Sequence, residues 1–309
     1  MGFDVFEASA AARAVFQEAD EALDMSLSKL CFEGPEKELR RTEIQQPAIL
    51  TTSIALLRTL EETLGKIDAG YVGGHSLGEY SALVAAGSLG FADAVRTVHL
   101  RGRLMQAAVA DGCGAMAAII GVKSDVVEAA CKHAHEETGL VVTPANYNSP
   151  VQIVIAGDAA AVEIACEQAR TLGAKKTVPL AVSAPFHCAL MEPAAAQLAE
   201  ALAELRFRDA RPPVITNVEA EPNAEAARVP QLLREQVTAP VRFADMIARM
   251  KSLGVDAYLE VGPGRVLSGL IARIERRARR ANFSSLESLD EVREFFASEN
   301  ETEAGQGAN

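Results

Sequence analysis

No run of apolar residues in the sequence approaches the about 18 that a membrane-spanning helix needs. A secretory signal is missing too: MGFDVFEASAAARAVFQEAD carries acidic residues where a basic and then an apolar segment would stand. Met1-Gly2 is not followed by Ser or Thr at position six, where Phe6 sits, so an N-myristoylation signal is absent. Cysteine is sparse: Cys31, Cys113, Cys131, Cys166 and Cys188 are odd in number and never in CxxC spacing. That excludes a zinc site and a disulfide framework, and fits a reducing cytoplasm. Positive charge is short as well, with 30 Lys+Arg against 42 Asp+Glu and a net of −12. Binding nucleic acid requires a basic face to neutralise phosphates, so no nucleic-acid partner is expected. Nor is there an internal repeat or a long low-complexity segment.

What is present is ordinary globular material, 49% apolar and 23% charged over 309 residues. At that length a chain buries roughly 75% of its unfolded surface and needs neither metal nor disulfide to hold a core. Residues 5–64 read as helical, with Pro47 opening a new run from a first-turn position. A short strand ending at Tyr71-Val72 leads through a glycine turn into a helix over 80–86, and a second helix covers 91–110. Residues 113–182 have their own rhythm. Strand 114–122, helix 124–138 with a Ser-Asp cap signal, strands 140–146 and 151–156 joined at Asn148-Ser149-Pro150, helix 159–172 and strand 176–182 give the order βαββαβ. That is the split βαβ of a ferredoxin-like subdomain. Beyond it come helix 192–205, strand 214–218, helix 243–253, strand 257–261 and a helix over 266–280. The alternation indicates an α/β fold with a mostly parallel sheet. The expected organisation is a core of residues 1–112 and 183–297, the small subdomain 113–182, and a frayed tail 298–309. Arg276, Arg277, Arg279 and Arg280 read as a solvated face at a helix end, matched to its dipole.

Gly74-x-Ser76-x-Gly78 has the form of a nucleophile elbow, a sharp strand-to-helix turn that exposes a serine hydroxyl. Small residues are needed where the backbone bends so tightly, and the helix behind aims the Leu77 amide at a developing oxyanion. A serine needs a base, and the chain has only five histidines. His75 lies inside the elbow and points away from Ser76; His133 and His135 sit on a polar helix; His99 reads as a packing residue. His187 remains, on a loop bent by Pro185 where the chain leaves the βαββαβ unit. Its mid-chain position and the lack of a suitable preceding acid differ from the α/β-hydrolase order, so a backbone carbonyl is the expected orienting group. Arg101 precedes Gly102, which costs ~1 kcal/mol against Ala inside a helix. A glycine there implies a close approach, and a guanidinium there suits a substrate carboxylate through paired charge-assisted bonds.

The segment Gly74-His75-Ser76-Leu77-Gly78-Glu79-Tyr80-Ser81-Ala82-Leu83 resembles the malonyl-CoA:acyl-carrier-protein transacylases of fatty acid synthesis. The likeness continues at Gln45-Gln46-Pro47-Ala48, Met105-Gln106, Gly114-Ala115-Met116-Ala117-Ala118-Ile119, Asn146-Tyr147-Asn148-Ser149-Pro150, Phe186-His187-Cys188-Ala189-Leu190-Met191 and Glu260-Val261-Gly262-Pro263-Gly264. It implies an α/β-hydrolase-like core with a ferredoxin-like insertion, acting as a monomer without cofactor or metal. By the same resemblance Ser76 is acylated, His187 is the base oriented by the Gln236 carbonyl, and Leu77 supplies an oxyanion amide. Arg101 holds the malonyl carboxylate with Gln46 nearby. Asn146, Asn148 and His75 contribute to the substrate cleft, and Phe186 before His187 matches a malonyl-preferring pattern. The implied partners are malonyl-CoA and the phosphopantetheine arm of acyl carrier protein.

One departure stands out. The family begins with an apolar strand and a Phe-Pro-Gly-Gln-Gly-Ser-Gln loop whose glutamine amide is the second oxyanion donor. Here Met1-Gly2 joins directly to the segment normally found after that loop. A start codon assigned too late is the expectation, with a shortened and impaired protein as the alternative. Three rival readings remain: a free-standing acyltransferase for a polyketide synthase, which shares every residue named; a serine esterase, disfavoured by the mid-chain histidine and the βαββαβ insertion; and a non-catalytic binding protein, supported only by the missing N-terminal loop.

Overall fold

The computed structural model describes residues 1–182 and 184–306, with the side chains of 298–306 left aside. Ser183, expected to reopen the core, and residues 307–309 of the expected tail lie outside the described residues. The first 64 residues form helices α1 (Phe3–Ala8), α2 (Ala10–Leu23), α3 (Leu27–Glu33), α4 (Glu36–Leu39) and α5 (Thr42–Leu64). Ser9 caps α2 by accepting the Ala12 amide at 3.0 Å, and Ala12, Val15, Phe16 and Ala19 form the buried stripe that helical spacing predicts. Pro47 does not open α5 but lies inside it. Its ring has no N–H to give the carbonyl four residues back. His99 donates its Nδ1–H to that carbonyl, on Glu43, at 2.9 Å. The packing histidine thus satisfies the carbonyl that the proline leaves without a donor.

A two-residue strand, β1 (Val72–Gly73), leads to α6 (Gly78–Ala85) and α7 (Phe91–Ala107). On α7 the buried positions include Ala94, Val95, Val98, Arg101, Gly102 and Met105, so Arg101 occupies a core position on a largely apolar stripe. Gly102 faces the first turn of α5: a Cβ there would lie 2.6 Å from Glu43 Cα and 2.7 Å from the Thr42 oxygen. The close approach inferred from this glycine is made by backbone.

The βαββαβ segment consists of β2 (Gly114–Ile120), α8 (Ser124–Thr138), β3 (Val142–Ser149), β4 (Gln152–Asp158), α9 (Ala159–Thr171) and β5 (Lys176–Pro179). Its sheet is antiparallel in the order β3-β4-β2-β5. β4 therefore separates the two strands that flank α8, which is what splits the βαβ unit. The hairpin is tighter than expected because β3 runs to Ser149. Ser124 is the first residue of α8 and not its cap, a position held by Lys123, which makes no side-chain cap bond. The strands alternate between two cores. Ala117, Ile119, Ile153 and Ile155 face α8 and α9, while Met116, Ala118, Val154 and Ala156 face Cys188. Apolar residues on both faces account for the unbroken run Ala115–Ile120.

The remainder comprises α10 (Glu192–Ala203), β6 (Val214–Ile215), β7 (Pro222–Asn223), α11 (Val229–Thr238), α12 (Phe243–Ser252), β8 (Ala257–Val261), α13 (Val266–Ile274), β9 (Arg279–Phe283) and α14 (Leu289–Gln306). Parallel pairing joins β1 to β6 and β8 to β9; β7 adds to β6 antiparallel. The expected helix over 266–280 ends at Ile274 because the chain returns as β9 beside β8. The arginine run is accordingly not a helix end. Arg279 lies over the Phe295 ring at 4.9 Å and donates to its carbonyl, and Arg280 donates to the Glu275 carbonyl at 3.1 Å. Among the described residues no helix is long and apolar enough to cross a membrane.

Candidate active site

The turn between β1 and α6 is built around Gly74. A Cβ at that position would lie 2.2 Å from the Gly78 carbonyl carbon and oxygen, so a side chain is impossible there. Gly78 itself meets nothing within 4 Å, so the expected steric need for small residues belongs to Gly74 and not to its partner. Ser76 takes a left-handed φ of 51°, a conformation that costs a non-glycine residue of order 1–3 kcal/mol and persists only where surroundings enforce it. Asn217, just beyond β6, is the enforcing group. Its Oδ1 accepts the Ser76 amide at 2.6 Å and its Nδ2 donates to the Gly74 carbonyl at 2.7 Å, bracketing the turn from below. Nothing in the local pattern at Asn217 marks it out, because its role depends on the parallel pairing of β1 with β6, which puts distant strand ends side by side.

His187 also has a left-handed φ, 62°, and is buried. Its Nδ1–H donates to the Gln236 carbonyl at 2.7 Å, which leaves Nε2 free of hydrogen and able to accept from Ser76 Oγ at 2.8 Å. Burial, and then the Arg101 charge, depress the imidazole to about 3, so at neutral pH the ring is uncharged and has an open lone pair. The loop that carries it is fixed from two sides. Cys188 packs against the second face of the four-stranded sheet, and its thiol donates to the Pro185 carbonyl at 3.1 Å.

Arg101 reaches the same hydroxyl. One terminal nitrogen donates to Gln46 Oε1 at 2.7 Å; the other donates to Gln236 Oε1 at 2.9 Å and to Ser76 Oγ at 3.1 Å. The guanidinium is buried without a salt-bridge partner among the described residues, and burial lowers its pKa. Its Nε has no acceptor there. A buried cation held by neutral amides is a receptor for an anion. Glu79, which no spacing in the sequence singles out, accepts Gln236 Nε2 at 2.7 Å and the Asn217 backbone N–H at 3.1 Å. Burial raises this carboxyl to about 7.

The remaining expected residues fall around this centre. His75 Nε2 lies 2.8 Å from Asn148 Oδ1, tying the elbow to β3, and its ring lies near that of Phe243. Asn146 is buried in β3 and bridges to Val241 through its backbone. Phe186 packs half-buried beside His187. The Leu77 amide, at the entry to α6, takes part in none of the hydrogen bonds among the described residues. Among the described residues no group of three or more His, Cys, Asp or Glu could hold a metal ion. The constellation can deprotonate one hydroxyl, hold one carboxylate beside it and donate one amide to an oxyanion.

The model of the acyl transferase domain matches residues 1–290. The malonyl CoA-acyl carrier protein transacylase of Bacillus subtilis is 46% identical over 301 residues, covering 97% of this chain and 94% of its own. A crystal structure of an acyl carrier protein S-malonyltransferase from Vibrio cholerae superposes with a TM-score of 0.91 at 43% identity, covering 94% of each chain. A further solved structure, a type II PKS acyl-carrier protein in complex with its malonyl-transacylase, gives a TM-score of 0.89 at 43% identity over 93% of this chain and 92% of that one.

Proposed function

This chain belongs to the acyl transferase domain family, and on that premise we propose how it moves a malonyl group from malonyl-CoA to the phosphopantetheine thiol of acyl carrier protein. The observation that carries the reading is Ser76 Oγ sitting 2.8 Å from His187 Nε2 and 3.1 Å from the Arg101 guanidinium. His187 accepts the Ser76 proton as Oγ attacks the malonyl thioester carbonyl. The carbonyl oxygen becomes an oxyanion facing the Leu77 amide. Collapse breaks the carbon–sulfur bond, the imidazolium returns its proton to the departing CoA thiolate, and malonyl-Ser76 remains. The carrier thiol then gives its proton to His187, attacks the ester, and Ser76 leaves with that proton. The same donor serves both oxyanions.

The acyl carboxylate binds Arg101, whose terminal nitrogens already point towards the nucleophile and its surroundings. Burial is the larger cause of the depressed His187 and the Arg101 charge the second, so pairing that charge with the acyl carboxylate relieves only the second part of the depression. An acetyl donor leaves that cation uncompensated. The product is malonyl-carrier protein for fatty acid elongation, made in the cytoplasm, where the chain's thiols stay reduced.

The test is intact mass after incubation with malonyl-CoA. The wild-type chain gains one malonyl group, and Ser76→Ala gains none. In parallel, Arg101→Ala loses malonyl transfer while sparing acetyl transfer. Equal loss with both acyl groups would refute the carboxylate role. The polyketide carrier in the solved complex favours a second reading, in which this enzyme serves such a carrier. Comparing kcat/KM on a fatty acid carrier protein and a polyketide one separates the two.

A further inference from the structure

Malonyl transfer through Ser76, His187 and Arg101 makes no use of Glu79, yet its carboxylate is buried at the centre of the site's hydrogen bonds. It lies on the first turn of α6, with its amide bonded to the Ser76 carbonyl at 3.1 Å. Its Oε2 accepts from Gln236 Nε2 at 2.7 Å and from the Asn217 backbone N–H at 3.1 Å. A glutamine amide can be seated in either of two orientations that differ by a flip, exchanging oxygen for nitrogen. At Gln236 the choice matters, because Arg101 has only donors and needs the oxygen, which it meets at 2.9 Å. An ionised carboxylate has only acceptors, so it admits only the NH2 edge. The Ser76 carbonyl, 3.1 Å from the same Nε2, favours that edge too.

We infer that Glu79 is a positioning residue that acts through Gln236: by holding the NH2 edge of that amide it forces the oxygen towards Arg101, and so sets the guanidinium to receive an acyl carboxylate. The inference rests on the reading that Arg101 binds that carboxylate. It makes malonyl selectivity depend on a group that never touches the substrate. It also makes selectivity depend on the charge state of Glu79. A protonated Glu79 can donate to the carbonyl edge of Gln236 as well as accept from its NH2 edge. The charged and titratable groups near it are Arg101 from α7 and Tyr80 on its own helix; α11 and the segment after β6 offer it the neutral Gln236 and Asn217.

The test is the ratio of kcat/KM for malonyl-CoA to that for acetyl-CoA. Glu79→Gln, which keeps the volume but can donate, should lower the ratio about tenfold, the value of one charge-assisted hydrogen bond. The loss should sit in KM for malonyl-CoA, with acetyl transfer kept. Gln236→Leu retains the backbone carbonyl that orients His187 and should lower the ratio similarly. Adding Glu79→Gln to Gln236→Leu should then cost nothing further, since the two act through one amide. A purely structural role for Glu79 predicts additive losses with both acyl groups, and that result overturns the inference. If Glu79→Gln does not fold, the wild-type ratio measured from pH 8 to 5.5 carries the test. It should decline through a midpoint near 7 as Glu79 takes up its proton, since the malonyl carboxylate and His187 both titrate well below that window. A flat profile overturns the inference. Arg101→Ala is the control: if it leaves the ratio unchanged, the underlying reading has failed, whatever Glu79 does.

Discussion

Gly102→Ala should both destabilise the protein and blunt its choice of acyl group, by one displacement. The new methyl would lie 2.6 Å from Glu43 Cα, 2.7 Å from the Thr42 oxygen and 2.9 Å from the Glu43 nitrogen. Carbon–carbon contacts are comfortable at about 3.5–4.0 Å. All three obstacles are backbone, so no side chain can rotate away, and the start of α5 must retreat by about 1 Å to reach that range. Such overpacking typically costs ~1–3 kcal/mol. The better helix propensity of alanine returns ~1 kcal/mol at most. A net loss of up to ~2 kcal/mol should lower the melting temperature by up to about 3 °C in a chain of this size. Gln46 lies one turn further along α5 and meets Arg101 at 2.7 Å. A retreat of that size takes the pair beyond hydrogen-bond range, and the malonyl-to-acetyl ratio of kcat/KM should fall about tenfold. Calorimetry and steady-state transfer assays on the two acyl donors would read both effects. A melting temperature that holds or rises, with an unchanged ratio, would show that α5 and α7 are not locked together at this glycine.

Two further outcomes come from the site. His187 is held neutral down to about 3, against an ordinary value of 6.5. A depressed histidine contributes stability that is whole above 6.5 and drains away as pH falls towards 3. Between about pH 7.5 and 5 the wild-type chain should therefore lose about 2 kcal/mol more than His187→Asn, in which the other groups titrate alike. Parallel urea titrations with equal pH slopes would contradict this. Asn217→Leu keeps the volume but leaves the Ser76 amide and the Gly74 carbonyl without their partner. Each stranded group costs ~1–3 kcal/mol, and relaxation of the turn should cut kcat about 100-fold with little change in KM. A kcat within about twofold of wild type would mean that the backbone holds the serine unaided.

Local chemistry was legible in the sequence wherever a residue type has few uses. The elbow showed itself through Gly74 and Ser76, and His187 emerged because only five histidines were available. Gly102 announced a close contact, though not with what. The βαββαβ order could be read strand by strand because each helix carries a plain helical stripe. What stayed hidden depends on contacts between distant segments. Asn217 and Glu79 look like a turn residue and a first-turn acid, and become a clamp only once β1 pairs with β6 and Gln236 of α11 reaches Glu79. The side chain of Gln236 stayed hidden for the same reason, although its carbonyl was expected from the resemblance. Residues 266–280 misled because Arg279–Phe283 is too short and too charged at its start to read as a strand. β8 supplies the partner that makes it one. Pro47 misled in the opposite sense, since the donor to the carbonyl it leaves without one comes from His99, on a different helix.

The four-stranded sheet, apolar on both sides, sets a limit on how this enzyme can be re-engineered. With Met116, Ala118, Val154 and Ala156 seated against Cys188, the small lobe is no interchangeable cassette. Grafting a foreign lobe would change what the residue beside His187 rests on, and the imidazole would shift with it. Swaps meant to alter substrate range would have to carry the 184–191 loop with them, so that lobe and imidazole travel as one piece.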